Sequence, residues 1–171
     1  MVEIRSFIRD IPDFPKPGII FKDITPLLGD TAAFTYTIDL LRERLKPEDF
    51  DVIVPIESRG FLFGAPLAYQ MGKPLVPVRK PGKLPAATHS IEYSLEYGEN
   101  TMEIHTDGIQ HGQKALLLDD LLATGGTMAA TASLVERSGG VVAGIAVIIE
   151  LTDLNGRAQL EGYDLTSLIQ Y

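Results

Sequence analysis

The sequence predicts one α/β domain over residues 1–171, with a mostly parallel central sheet that is flanked by helices. Short apolar runs alternate with amphipathic segments, and strands that alternate with helices favour a parallel sheet. The runs at 52–54 and 115–118 are continuously apolar, which is expected for strands that are covered on both faces. The 171 residues are 45% hydrophobic, which is enough for one sizeable core.

The first thirty or so residues are predicted to form a small hood on the core rather than a second domain. Apolar residues at helical spacing predict a helix over residues 1–11, and the Pro and Gly residues at 12–18 prevent its continuation. Residues 18–24 are predicted to be extended. Asp30 is then expected to cap a helix that reaches about Leu45.

The rest of the chain is predicted to contain strands, helices and one hairpin. Predicted strands lie at 52–54, 75–78, 114–118, 141–149 and 165–169, predicted helices at 61–71 and 128–138, and a short segment at 156–160. Residues 90–97 alternate apolar and polar side chains, which predicts a half-exposed strand. Residues 98–100 are expected to turn this strand back into 101–105, which gives a β-hairpin.

Composition and charge exclude several functional classes. The chain has no Cys, so disulfides and thiolate metal sites are not available, and its three His residues lack metal-ligand spacing. The net charge of −8 disfavours a nucleic-acid partner. No apolar run is long enough to cross a bilayer and no signal segment is recognisable, so we expect a cytoplasmic protein without a membrane partner.

The most informative motif follows the predicted strand 114–118. Asp119 and Asp120 stand where open α/β sheets bind ligands, at the carboxyl end of a strand. The loop 123–127 then opens a helix, whose free N–H groups and positive dipole end favour an anion. Carboxylates beside an anion site predict a phosphorylated sugar as the ligand. The alternative is a tight strand-to-helix turn with no ligand, which is common in α/β proteins.

Polar residues also follow two other predicted strands. Ser58 and Arg59 come after the first of them, and a guanidinium such as that of Arg59 can bind a pyrophosphate through two parallel hydrogen bonds. Arg79 and Lys83 follow the second strand and could form a second clamp on the same anion. A basic loop that is merely solvated explains Arg79 and Lys83 equally well.

Several separated runs of residues resemble the motifs of one known family, and they follow one another in the same order as in that family. Asp-Asp-Leu-Leu-Ala-Thr-Gly-Gly-Thr at 119–127 resembles a site for phosphoribosyl pyrophosphate (PRPP), and Pro-Ile-Glu-Ser-Arg-Gly-Phe at 55–61 resembles a pyrophosphate loop. Tyr-Ser-Leu-Glu-Tyr-Gly at 93–98 resembles a flexible catalytic loop. The runs 14–24 and Glu-Leu-Thr at 150–152 resemble the two walls of a base site. Together they resemble the adenine phosphoribosyltransferases of the type I phosphoribosyltransferase family.

The resemblance implies a role for each motif. Glu96 would be the acid or base for the adenine ring, and Tyr97 would close over the reaction with it. The residues implied to bind adenine are Ile20, Phe21, Lys22 and Leu151. The residues implied to bind PRPP or AMP are Ser58, Arg59, Arg79, Lys83, Asp119, Asp120, Ala123, Thr124, Gly125, Gly126 and Thr127. The peptide bond between Ser58 and Arg59 would be cis.

The implied reaction is that of purine salvage: adenine and PRPP give AMP and pyrophosphate. Mg²⁺ would arrive with PRPP, held by its phosphates and by water, with Asp119 or Asp120 as a further contact. A homodimer is also implied. One alternative is the same fold acting on hypoxanthine, guanine or xanthine, although such a site would want a Lys near the ring oxygen. Another is a non-catalytic PRPP-sensing regulator, which the negative charge disfavours.

Overall fold

The computed structural model describes residues 2–95 and 98–171. Its strands are β1 (Arg9–Pro12), β2 (Ile20–Asp23), β3 (Val52–Pro55), β4 (Thr88–Leu95), β5 (Gly98–His105), β6 (Lys114–Leu122), β7 (Val141–Glu150) and β8 (Leu165–Gln170). Its α-helices are α1 (Thr25–Gly29), α2 (Thr31–Arg44), α3 (Arg59–Met71) and α4 (Gly126–Arg137). Short 3₁₀ segments lie at Ile4–Phe7, Pro47–Asp49, Thr152–Leu154 and Gly156–Leu160.

The central sheet has the strand order β3-β6-β7-β8, and every neighbouring pair is parallel. Residues 75–78, which were predicted as a strand, run beside β3 as isolated bridges instead of a continuous ladder. Val76 N–H donates to the Ile53 carbonyl at 2.9 Å, and Val78 N–H donates to the Pro55 carbonyl at 3.1 Å. In this register the N–H of residue 55 would donate to the carbonyl of Val76, but Pro55 has no N–H, so the ladder is interrupted there. The predicted parallel sheet is confirmed.

The strands of this sheet are buried on both faces. Ile53 and Leu116 pack in one cluster with α2 and α3, whereas Val54 and Leu117 pack in another with α4 and the β4–β5 hairpin. Because successive side chains of a strand point to opposite faces, both sets must be apolar. The double burial explains the continuous apolar runs and confirms that helices flank the sheet.

Local signals at the helix ends are also confirmed. Asp30 Oδ1 accepts a hydrogen bond of 2.8 Å from the N–H of Ala33 and so caps α2. Gly72 ends α3 in the left-handed conformation, with φ of 62°. The helix α3 begins at Arg59, two residues before the predicted start. Among the described residues, no helix has both the length and the apolar character needed to span a membrane.

The N-terminal segment differs from its prediction. The helix predicted over residues 1–11 is wrong: a single 3₁₀ turn is followed by β1, which pairs antiparallel with β2. In this pairing Ile11 lies opposite Phe21, and Arg9 lies opposite Asp23, to which its guanidinium donates at 2.6 Å. The apolar spacing fits a helix, but the hairpin pairing with a segment ten residues away prevails over that local preference. The short helix α1 was not predicted either.

The second hairpin is confirmed, but its turn is not where we expected it. The strands β4 and β5 pair antiparallel from Thr88 opposite His105 onward. Residues 98–100, which were predicted as the turn, belong to β5, where Asn100 lies opposite Tyr93. Backbone hydrogen bonds between Arg79 and Glu103, at 2.9 and 2.7 Å, tie β5 to the segment that follows 75–78. The hairpin is thereby placed over the carboxyl ends of the central strands.

Candidate active site

Two adjoining cavities, each of about 240 Å³, lie at the carboxyl ends of β3 and β6. Both are lined by Arg59, Asp119, Asp120 and Thr127. The first is also lined by Glu57, Ser58, Lys80, Tyr93, Asn100, Thr101 and Met102. The second is also lined by Leu121, Leu122, Ala123, Thr124, Gly125, Gly126 and Met128. The structure therefore brings together the predicted residues of the 119–127 motif and the pair Ser58 and Arg59.

The loop 123–127 is held in a conformation that requires glycine. Gly125 has a φ of 90°, and a Cβ placed on it would lie 2.5 Å from the carbonyl oxygen of Gly156. The loop therefore packs closely on the 3₁₀ segment Gly156–Leu160. The helix α4 begins at once, and the first N–H groups of a helix have no partner within it. An anion in the second cavity would meet these N–H groups and the positive end of the helix dipole.

Asp119 and Asp120 stand side by side at the end of β6. The N–H of Asp120 donates to Asp119 Oδ1 at 2.8 Å. Burial, together with the neighbouring Asp120 carboxylate, raises the pKa of Asp119 well above its usual range. Burial also raises the pKa of Asp120, although the guanidinium of Arg59 opposes that shift. A ligand that brings hydrogen-bond donors or a cation to these two carboxyl groups would therefore stabilise them.

Arg59 is positioned by the close approach of α3 to β6. A Cβ on Gly60 would lie 2.8 Å from the carbonyl oxygen of Leu118, so only glycine allows this approach. The approach brings Arg59 Nε to 3.1 Å from Asp120 Oδ2, an oxygen that is buried and has no partner in hydrogen-bond geometry. The cis peptide bond of this loop joins Glu57 and Ser58, one position before the bond that we predicted to be cis.

The structure places Arg79 and Lys83 outside both cavities. The guanidinium of Arg79 donates to the two carboxylate oxygens of Glu57, at 3.2 and 3.3 Å, and to the carbonyl of Lys83 at 3.1 Å. Glu57 also accepts the N–H of Lys80 at 2.9 Å. Burial alone would raise the pKa of Glu57, but these hydrogen bonds and the Arg79 charge hold it below its usual value. The cation that lines the first cavity beside Arg59 is instead Lys80.

The hood strand β2 carries three of the residues predicted to bind adenine. Ile20 is 56% exposed, and the ring centroid of Phe21 lies 5.2 Å from the guanidinium carbon of Arg59. This contact places β2 beside the loop that begins α3. The Lys22 ammonium is engaged elsewhere, at 2.7 Å from Asp10 Oδ1. The side chain of Lys22 is therefore paired within the hood hairpin.

Leu151, the fourth predicted adenine residue, directly follows β7. Its N–H donates to the carbonyl of Leu122 at 2.9 Å, which holds it beside the end of β6. The preceding residue, Glu150, is buried and accepts hydrogen bonds from Arg157 at 2.8 Å and from Ser167 at 2.7 Å. The hydrogen bond from Arg157 lowers the pKa of Glu150, although burial opposes the shift. This network fixes the wall on which Leu151 stands.

The predicted catalytic residues Glu96 and Tyr97 lie outside the described residues. The hairpin nevertheless contributes a residue to which the sequence analysis gave no role of its own: Tyr93, whose hydroxyl lies 3.0 Å from Thr127 Oγ1. Tyr93 takes an apolar position in the alternating pattern of residues 90–97, so the sequence did not indicate a polar contact. Within residues 2–95 and 98–171, no three His, Asp or Glu side chains are grouped closely enough to hold a metal ion.

Comparisons with known proteins agree with this geometry. Residues 32–168 match the family described as the phosphoribosyl transferase domain, so the fold and its site define a transferase of that class. An adenine phosphoribosyltransferase of Chloroflexus aurantiacus is 59% identical over 169 residues, which cover 99% of this chain and 98% of that protein. The chain belongs to the adenine phosphoribosyltransferase family.

Two solved structures extend the comparison to three dimensions. The crystal structure of adenine phosphoribosyltransferase from Thermoanaerobacter pseudethanolicus superposes with a TM-score of 0.96 at 58% identity, covering 98% of each chain. The enzyme from Saccharomyces cerevisiae, complexed with D-2,5-dideoxy-2,5-imino-altritol 1,6-bisphosphate and adenine, has a TM-score of 0.93 at 36% identity. That match covers 97% of this chain and 96% of the other.

Proposed function

We propose that this chain transfers the 5-phosphoribosyl group of PRPP to adenine, forming AMP and releasing pyrophosphate. The observation that carries the proposal is the arrangement of the two cavities. An anion-binding loop, a pair of acids and an arginine meet there under an aromatic residue of the hood. Relatives that are 53–59% identical over almost the whole chain bear the name of this activity.

The second cavity would hold the phosphoribosyl end of PRPP. The 5′-phosphate would accept hydrogen bonds from the N–H groups at the start of α4 and from the hydroxyl of Thr127. The carboxylates of Asp119 and Asp120 would accept hydrogen bonds from the ribose hydroxyls. With both ends of the sugar held, its anomeric carbon is directed toward the base, which removes much of the entropic barrier to transfer.

The first cavity would hold the pyrophosphate, which leaves as its bond to the anomeric carbon breaks. Negative charge grows on the pyrophosphate, and Ser58, Arg59 and Lys80 would stabilise it. The sugar becomes oxocarbenium-like, as in glycoside cleavage, and the carboxylates of Asp119 and Asp120 favour that positive charge. The predicted contacts of Arg79 and Lys83 with pyrophosphate stay predictions. Both residues lie outside the two cavities, so the proposed contacts to pyrophosphate begin with Ser58, Arg59 and Lys80.

The base would lie under the hood. Phe21 and Leu151 would pack on its two faces, and the backbones of Ile20 and Lys22 would read its edge. Adenine must lose the proton on its attacking ring nitrogen, and we assign its acceptance to Glu96, with Tyr97 closing over the site. Closure would exclude water and so suppress hydrolysis of PRPP.

The donor set suits a magnesium ion that comes with the substrate. Mg²⁺ prefers oxygen ligands and keeps several waters, so it needs few protein groups. Asp119 or Asp120 would contact it through water, while the substrate phosphates supply most of its ligands. When bound, Mg²⁺ would add positive charge at the pyrophosphate. The formation of AMP from free adenine is a reaction of purine salvage, which the named activity of the relatives supports. A cytoplasmic location, a homodimer and the division into core and hood at about residue 30 stay predictions.

Turnover of purified protein tests the proposal. With adenine, PRPP and Mg²⁺ together, we expect AMP and pyrophosphate to appear in equal amounts, and we expect neither when any one of the three is omitted. Binding of PRPP without product from any purine base would contradict the proposal and would favour a PRPP-sensing regulator.

A further inference from the structure

We propose that Tyr93 is a positioning residue for the 5′-phosphate, because its hydroxyl orients the proton of Thr127 toward the ligand. Tyr93 Oη lies 3.0 Å from Thr127 Oγ1, and either oxygen could donate in that contact. Thr127 lines both cavities, whereas Tyr93 lines the first. The role of Tyr93 rests on the proposed function, since it requires a phosphate in the second cavity.

The direction of the hydrogen bond follows from the number of protons available. A threonine hydroxyl has one proton and two lone pairs. A phosphate dianion offers acceptor oxygens only, so Thr127 can bind it only by donating its single proton. The contact between the two hydroxyls then persists only if Tyr93 is the donor. A phenol is well suited to that direction, because it is more acidic than an alkyl hydroxyl.

The surroundings of Tyr93 keep its hydroxyl in place. Its ring packs against the apolar cluster that includes Met128 and Ala132 of α4. On β4 it lies opposite Asn100 of β5, so its position is fixed by the hairpin ladder. The carbonyl of Thr127 accepts the hydroxyl of Thr131 at 2.9 Å, within α4. Both partners of the contact are therefore held by regular structure before any ligand binds.

The test is the variant Tyr93→Phe, which keeps the ring and removes only the hydroxyl. Without the donor, Thr127 can direct its proton elsewhere, and its hydrogen bond to phosphate weakens. We expect the KM for PRPP and the inhibition constant of ribose 5-phosphate to rise about 3- to 10-fold, as for the loss of one hydrogen bond. The KM for adenine and the inhibition constant of pyrophosphate should change by less than about 2-fold, because the proposed role of the Tyr93 hydroxyl is confined to the 5′-phosphate. Loss of a hydrogen bond to either ligand would cause a larger change.

Two further variants separate positioning from a general structural effect. In a Thr127→Val background, Tyr93→Phe should have no additional effect, because the hydroxyl that it orients is absent. Tyr163→Phe is the matched control: Tyr163 donates to Glu136 at 2.8 Å, lies outside both cavities, and should leave every constant unchanged.

The outcomes distinguish the role of Tyr93 from the proposed function. An unchanged KM for PRPP in Tyr93→Phe would overturn the role of Tyr93. The role would also be overturned if Tyr93→Phe raised the KM for PRPP as much in the Thr127→Val background as in the unmodified chain. A loss of pyrophosphate binding as large as the loss of ribose 5-phosphate binding would overturn it too. If the unmodified chain forms no AMP, the proposed function fails by itself, and phosphate binding measured with ribose 5-phosphate still decides the role of Tyr93.

Discussion

The carboxyl groups of Asp119 and Asp120 are unfavourable for folding and suited to binding. Their raised pKa values mean that the folded state holds their protons more tightly than the unfolded state does. Folding stability from these groups is therefore greatest below the unfolded pKa and is lost as pH rises through the folded pKa. The buried pair therefore contributes less stability at neutral pH than at acid pH, and a ligand that supplies hydroxyl donors offsets this loss.

Asp119→Asn should make the protein more stable and less active. Asn keeps an oxygen that can accept the N–H of Asp120, but it carries no charge to bury. We expect the melting temperature at pH 7 to rise by about 2–4 °C, as for about 1 kcal/mol in a chain of this size. The kcat/KM for PRPP should fall about 10- to 100-fold, because hydrogen bonds to a charged acceptor are lost.

The control for this variant is Asp107→Asn, at an exposed position outside both cavities. It should change neither stability nor activity. Thermal unfolding between pH 4 and pH 8 completes the experiment, since Asp119→Asn should flatten the decline of stability with rising pH. A lower melting temperature for Asp119→Asn at pH 7 would contradict the account of the acid pair.

For individual site residues, the sequence predicts groupings of residues that are close along the chain, and it misses contacts between residues that are distant in sequence. Asp119, Asp120 and the loop 123–127 are contiguous, so one strand-to-helix junction was enough to identify them. The pairing of Arg79 with Glu57 depends on hydrogen-bond geometry between groups 22 residues apart. No local pattern indicates that Arg79 is engaged while Lys80 lines the cavity.

Among the elements, the position of α3 against β6 matters most for the site. Gly60→Ala tests it, because the new Cβ would lie 2.8 Å from a backbone oxygen of a central strand, which cannot easily shift. Overpacking of this kind typically destabilises by about 1–3 kcal/mol. We expect a lower melting temperature and a higher KM for PRPP, because α3 must move and carry Arg59 away from Asp120.

Gly29→Ala provides the matched control on α1, where an added Cβ would have no neighbour within 4 Å. It should leave the KM for PRPP unchanged and the melting temperature equal or slightly higher. Wild-type kinetics in Gly60→Ala would show that the close approach of α3 does not position Arg59.

Elements with strong local signals were predicted well. Asp30 caps α2 and Gly72 ends α3 because caps act within a few residues. The strand β1 was missed because Ile11 fits a helical pattern and reveals its pairing with Phe21 only in the folded hairpin. The turn of the second hairpin was misplaced because Asn100, a typical turn residue, pairs within β5 instead.

Over the whole molecule, the hood and the core each supply one side of the proposed base site. The hood is anchored rather than loosely attached, since Ile4, Ile24 and Leu27 are buried in the same cluster as α2. Its strand β2 brings Phe21 to the loop that carries Arg59. The fold class could be read from the alternation of strands and helices, but the placement of the hood required the three-dimensional structure.

Phe21→Ala should separate base binding from PRPP binding. Stacking of one base on an aromatic ring contributes about 1–3 kcal/mol, so the KM for adenine should rise about 5- to 100-fold. The KM for PRPP should change much less, because the phosphate and ribose contacts lie on the core. Steady-state kinetics with each substrate varied in turn measures both constants. An equal rise in the two values would contradict the assignment of Phe21 to the base.

The specificity for the purine base is the sharpest test of the proposed adenine site. Initial rates are measured with PRPP and Mg²⁺ and, separately, with adenine, hypoxanthine, guanine and xanthine. Because backbone groups that suit the amino edge of adenine mismatch a 6-oxo edge, we predict AMP from adenine and at least about 100-fold lower kcat/KM for the other bases. Turnover with a 6-oxopurine alone would contradict the account of the base site while leaving the PRPP site intact.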